Sequence, residues 1–190
     1  MNFIKKTTWQ DVFKKWEERE ADNPGWIRCA TEIKGWPDWK SWRNFSASQI
    51  KADKRDWELF EFTDPMNEIP QMLVGPYTGW QSRFTEKNTG TFEDLLNDPK
   101  QFEFFNKHEG VLSIMNNLPF ETEFIGIIRD DTNKIVCLEG HHRATAIALA
   151  KKQGKQIDFE NKVTIALAHL GKEEVSLLDE MLERGSSKNI

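Results

Sequence analysis

Apolar and polar residues alternate along this chain in patterns that change from helical to extended and back. Trp9, Val12, Phe13 and Trp16 recur at the i, i+3, i+4, i+7 spacing of one helical face, with charged residues between them. Thr8 stands where an N-cap belongs, so a helix is expected over 9–20, ended by the turn Asp22-Asn23-Pro24-Gly25. Pro37 suits the first turn of a second helix, on which Trp39 and Trp42 fall three apart beside Trp36. Residues 46–55 are polar, helical or irregular, and 57–62 (WELFEF) alternate weakly, as a strand or a helix end. Residues 72–80 (MLVGPYTGW) suggest a short strand and then a loop punctuated by Gly75, Pro76 and Gly79. Thr91 caps a helix over 92–96, with Glu93 and Asp94 in its first turn. Helical segments follow at 101–107 and 110–117, closed by Asn116-Asn117-Leu118-Pro119. Residues 124–128 and 134–138 form a hairpin joined by 129–133; a strand over 162–168 and a helix over 172–183 complete the order.

The stretch 134–150 (KIVCLEGHHRATAIALA) organises the rest. Ile135, Val136, Cys137 and Leu138 make a buried strand, and Glu139-Gly140 breaks it. From His141 onward a helix is apolar on nearly every side, hence buried. A strand that passes through glycine into a helix aims unpaired first-turn N–H groups, and the positive end of the helix dipole, at whatever lies above Gly140. Arg143 adds a permanently charged planar fork, and His141 and His142 add further donors. A nucleotide phosphate is the natural guest. Glu139 has two readings. It either holds Mg²⁺ or takes a proton from a substrate hydroxyl, or it fixes the loop through backbone N–H groups or through Arg143. The 75–83 loop, with Tyr77 and Arg83, either lines the ligand pocket or is an ordinary connection.

Glu139-Gly140-His141-His142-Arg143, between a strand and an alanine-rich helix, resembles the signature of the ParB/sulfiredoxin superfamily. Partition proteins of that group carry Gly-Glu-Arg-Arg here and sulfiredoxins Gly-Cys-His-Arg. Free serine kinases and many ParB-like domains carry Asp-Gly-His-His-Arg, the form this chain is closest to. The order from residue 109 onward, helix, hairpin, motif, helix, strand, helix, is similar to that of ParB-like domains. The resemblance implies nucleotide-phosphate binding, with an acidic residue at position 139 near the reacting hydroxyl. It also implies an upstream catalytic glutamate, for which Glu68 and Glu86 are the candidates. Sulfiredoxin chemistry is argued against by His141, which occupies the nucleophile's position. Cys137 lies inside the strand, where a thiol packs rather than reacts.

Composition narrows the field. The chain has 190 residues, 30% charged and 38% hydrophobic, and a net charge of −5. It carries no long basic block, which argues against nucleic acid as the main partner. No apolar run approaches the roughly 20 residues that span a bilayer. Two cysteines and no signal-like start suit a reducing cytoplasm. Adjacent histidines diverge by roughly 100° on a helix, and His108 and His169 are isolated, so a structural zinc site is disfavoured. All eight tryptophans precede residue 81. Their helical spacing makes them core anchors, against the alternative of an aromatic wall for a base or a cation.

The expectation is therefore an α+β protein: a ParB/sulfiredoxin-like small mixed sheet flanked by helices over 66–185, a Trp-rich helical N-terminal extension over 1–65, and a tail over 186–190. Its expected function is nucleotide-dependent phosphotransfer or nucleotide hydrolysis, with ATP or ADP and Mg²⁺ as cofactors and a small-molecule acceptor. Glu139, His142 and Arg143 would be catalytic, with Glu139 as metal ligand. Gly140, His141, His142, Arg143, Tyr77 and Arg83 would bind the nucleotide. The alternatives are a non-catalytic nucleotide-binding module with a protein partner on the Trp-rich part, and a DNA-associated accessory protein.

Overall fold

Thr8 accepts a hydrogen bond from the Asp11 N–H, which starts helix α1 (Trp9–Glu20) where the sequence places it. The computed structural model describes residues 1–116, 123–159 and 162–188. Asn23 caps a short helix, α2 (Pro24–Arg28), inside the expected turn, and one π-helical turn, Cys29–Ile33, follows. Asp38 caps α3 (Trp39–Gln49). Strand β2 (Trp57–Glu61) then pairs antiparallel with β1 (Asn2–Thr7). The sequence reading places no strand at 2–7. Most of β1 is exposed and rich in lysine, so nothing local marks it, and its partner is far along the chain.

After β2 come α4 (Pro65–Glu68), α5 (Thr78–Gln81), α6 (Phe92–Asn97), α7 (Pro99–Phe105) and α8 (Glu109–Asn116). A reciprocal capping box between Thr91 and Asp94 starts α6. The expected strand at residues 72–80 is reduced to Leu73, which bridges Val136 on one side and Thr91 on the other. Residues 117–119, expected to close the helical run, lie outside the described residues. The hairpin is present as β3 (Glu123–Arg129) and β4 (Lys134–Glu139), followed by α9 (His141–Lys152), β5 (Thr164–Leu170) and α10 (Ser176–Arg184).

The five strands form one mixed sheet in the order β1-β2-β5-β3-β4, parallel only between β5 and β3. Strand side chains alternate between two cores. Phe124, Cys137, Ile165 and Leu167 face α6–α9, whereas Ile125, Ile127, Val136 and Leu138 face α1, α3 and α10. The first 65 residues are thus not a purely helical attachment. They supply two strands, and their helices cover one face of the same sheet. Trp9, Trp16, Trp39, Trp42 and Trp57 are buried there. The 186–188 segment is anchored: Trp36 Nε1 donates to Ser186 O at 2.8 Å, and Lys188 N donates to Lys34 O at 2.9 Å. No helix among the described residues is long and apolar enough to cross a membrane.

Candidate functional site

β4 ends at Glu139, on the margin of the sheet where both helical layers meet. Gly140 turns the chain into α9 with φ of +103°. Glycine adopts that φ freely, and a Cβ there would also lie 2.4 Å from the Phe124 ring. Gly75 meets a second tight approach, because a Cβ on it would fall 2.1 Å from Cys137 O and 2.7 Å from His141 Nε2. The first intrahelical bond of α9 runs from Ala144 N–H to Gly140 O, and no side chain among the described residues caps the helix. The amides of 141–143 therefore have no partner within the helix.

Charged side chains converge on this start. Arg143 Nη2 donates to both oxygens of Glu139, at 2.6 Å to Oε1. Arg19 Nη2 lies 3.7 Å from Glu139 Oε2, while its Nη1 donates to Glu123 at 3.4 Å. Lys15 donates to the other oxygen of Glu123 at 3.0 Å. Arg19 Nη2 is buried and makes no hydrogen bond among the described residues. Next to it, at the end of α1, Glu20 accepts from Arg43 Nη2 at 3.0 Å and from Trp39 Nε1 at 3.2 Å. Burial, and then the charge of Glu139, raise the Glu20 carboxyl above the usual range.

Arg43 is itself caged. Its guanidinium lies 3.9 Å from the Trp42 ring, 4.8 Å from Trp16, 5.1 Å from Trp26 and 5.8 Å from Trp39. The tryptophans that might have walled a ligand hold this internal cation instead, a desolvated cation–π arrangement. Lys15, Arg19, Arg43 and Arg143 stand against Glu20, Glu123 and Glu139, so positive charge is in surplus even with every carboxyl ionised. A cleft of about 380 Å³ between β1 and α1 reaches this row at Lys15 and Glu123.

The two histidines divide their tasks. His141 turns inward, and its Nε2 accepts the Gly75 N–H at 3.1 Å. Burial above all lowers its pKa to about 3, so the ring is neutral and ties the 72–77 segment to α9. The side chain expected to contact a nucleotide is thus taken up by the Gly75 N–H instead. His142 also meets the Trp80 ring, at 5.2 Å, but turns toward His108, 5.5 Å away. Burial, then the nearby His108 and Arg83, lower its pKa to about 4, so it too is neutral at pH 7.

Tyr77 Oη donates to Leu138 O at 2.9 Å, bracing the end of β4. Arg83 donates to Gln101 Oε1 at 2.6 Å on the His142 side. Cys137 is fully buried and its thiol is pushed well above the usual range, first by burial and then by Glu139, which makes it inert. Of the two upstream glutamates singled out from the sequence, Glu68 binds the N-terminal amino group at 3.0 Å and Glu86 is exposed. The carboxyl that feels the charge of Glu139 is Glu20. Arg43 directly follows Trp42 on α3, and nothing local in the sequence marked it for this place.

Among the described residues no three His, Cys, Asp or Glu side chains cluster as a metal site. Comparison of the chain with protein-family models, with characterised proteins and with solved structures gives no match. The strand–glycine–helix order expected for 134–150 is present in the fold.

Proposed function

We propose that the start of α9 seats the phosphates of a nucleotide, ATP or ADP, and that the protein is a nucleotide-dependent phosphotransferase or hydrolase with a small-molecule acceptor. One observation carries this reading. An uncapped helix start and the buried Nη2 of Arg19, which makes no hydrogen bond among the described residues and lies 3.7 Å from Glu139, meet beside two carboxyls that repel each other. Free donors gathered under a surplus of positive charge favour a polyanion, and a carboxyl with raised proton affinity suits a proton acceptor.

In this scheme the amides of 141–143 bind non-bridging oxygens, and Arg143 and Arg19 stabilise the charge that develops during transfer. Arg143, permanently charged and paired with Glu139, would bring its planar fork to bear on phosphate charge. His142, neutral, offers an imidazole N–H without adding charge. The acceptor oxygen bonds to the terminal phosphorus, the bond to the bridging oxygen breaks with its electron pair leaving on the nucleotide, and the hydroxyl proton passes to Glu20. Glu139, held by two guanidiniums, orients the acceptor.

Glu139, together with phosphate oxygens, would hold a Mg²⁺ here, the one-carboxylate manner in which that ion is commonly bound to nucleotides. It would relieve the repulsion between the two carboxyls and neutralise phosphate charge.

The mutual pairing of Glu139 and Arg143 also suits a second reading, a module that binds nucleotide without turning it over. Incubation with ATP, ADP or CTP plus Mg²⁺ separates the two. Steady turnover identifies the enzyme and saturable binding alone identifies the module. Absence of binding refutes both.

A further inference from the structure

On the His142 side of α9 lies a feature that the phosphate site leaves unused. Phe104, near the end of α7, is 46% exposed although it sits at the edge of a dense aromatic cluster. Its ring is 5.0 Å from Phe105 and 5.6 Å from His108, and the Arg83 guanidinium stacks on it at 4.5 Å. Arg83 Nε is buried and makes no hydrogen bond among the described residues. From Phe104 the rings step to His108 and then to His142, in the first turn of α9. The two ring-to-ring steps of 5.6 and 5.5 Å, laid end to end, cap the separation of Phe104 from that turn. An extended nucleoside diphosphate is long enough to bridge a separation of up to that length.

Resting on the phosphate seat proposed above, we infer that Phe104, with Arg83 and His108 around it, receives the nucleobase of the bound nucleotide. A flat heteroaromatic ring laid on the face of Phe104 opposite Arg83 buries apolar surface now in water and stacks on a ring already polarised by a cation. Arg83, held by Gln101, keeps its charge beside the ring that would receive the base. The opposite side of the α9 start, toward Glu139 and Glu20, then remains open to the acceptor. This division places the base and the acceptor on the two helical layers, with the phosphates at the sheet margin between them.

The test uses the full chain titrated with ADP and, separately, with inorganic pyrophosphate, which has no base. Phe104 is exposed, so its replacement leaves the core intact. Phe104→Ala is expected to weaken ADP roughly tenfold, the order of one lost base–aromatic stack, and to leave pyrophosphate unchanged. Phe104→Trp is expected to retain or strengthen ADP. If pyrophosphate binds and Phe104→Ala takes ADP as tightly as the natural chain, the base lies elsewhere and the inference fails while the phosphate seat stands. If the natural chain binds neither probe, the phosphate seat fails and the base subsite with it.

Discussion

Arg143 Nη2 lies 2.6 Å from Glu139 Oε1, across the single-residue turn made by Gly140. The pair closes the motif on itself, so that a carboxylate can stand at a helix start without cancelling the attraction of that start for anions. Both side chains are largely buried. Removing one partner leaves an uncompensated charge, a more costly change than removing both. Arg143→Ala is expected to destabilise the fold by about 3 kcal/mol. Arg143→Ala combined with Glu139→Gln should recover most of that loss in urea unfolding, and equal losses in the single and double variants would contradict the pairing.

Arg43 gives a parallel test on the other helical layer. Arg43→Met keeps much of the volume but removes the cation held among Trp16, Trp26, Trp39 and Trp42, and it strands Glu20. A loss of roughly 3 kcal/mol is expected, again largely restored when Glu20→Gln is added. Tryptophan fluorescence should shift in the same variant, because four indoles lose a charged neighbour.

Acid should expose the two buried imidazoles. An ordinary histidine titrates near 6.5, whereas His141 and His142 in the fold do so at about 3 and about 4. Depressed values mean that the unfolded chain takes up these protons first. Their contribution is complete above pH 6.5 and drains away as pH falls toward 4 and then 3. Glu20, raised by burial and by Glu139, acts in the opposite sense, so the comparison must be made against a variant. The natural protein should lose up to about 3 kcal/mol more than His142→Gln between pH 7 and pH 4. Parallel stability profiles for the two proteins would show that His142 is not buried as described.

Thiol chemistry offers a quick check of the β4 core. Cys137 is wholly buried with a raised pKa, and Cys29 is partly exposed. An aromatic disulfide reagent at pH 8 should titrate one thiol in the native protein and two after denaturation. Rapid reaction of both native thiols would contradict the packing of β4 under α9.

Gly140→Ala joins two penalties, a positive φ and a contact at 2.4 Å with the Phe124 ring. A cost of about 2 kcal/mol or more is expected in urea. A neutral substitution would mean that the turn into α9 is made differently.

What was legible in the sequence was local. Thr8 with its four-residue apolar stripe, Thr91 with Asp94, and the run into Gly140 each carry their own start signal within a few residues, and each appears where expected. The hairpin of β3 and β4 is local too. β1 was not legible, since exposed residues 2–7 become a strand only through pairing with β2. The same distance effect hid Arg19, Glu20 and Arg43. Their approach to Glu139 is fixed by how α1 and α3 lie on the sheet, which no spacing along the chain encodes. The inward turn of His141 was equally hidden, because it depends on Gly75 lending space from another segment.

The central claim, a polyphosphate seat at the start of α9, is tested most directly by calorimetric titration of the natural chain and Arg143→Ala with ATP and ADP in the presence of Mg²⁺. Arg143→Ala/Glu139→Gln serves as the folded control. Saturable binding to the natural chain, weakened tenfold or more in both variants, is the expected result, since a charge-assisted contact to phosphate is lost. Affinity that is undetectable in the natural chain, or unchanged when Arg143 is removed, would contradict it.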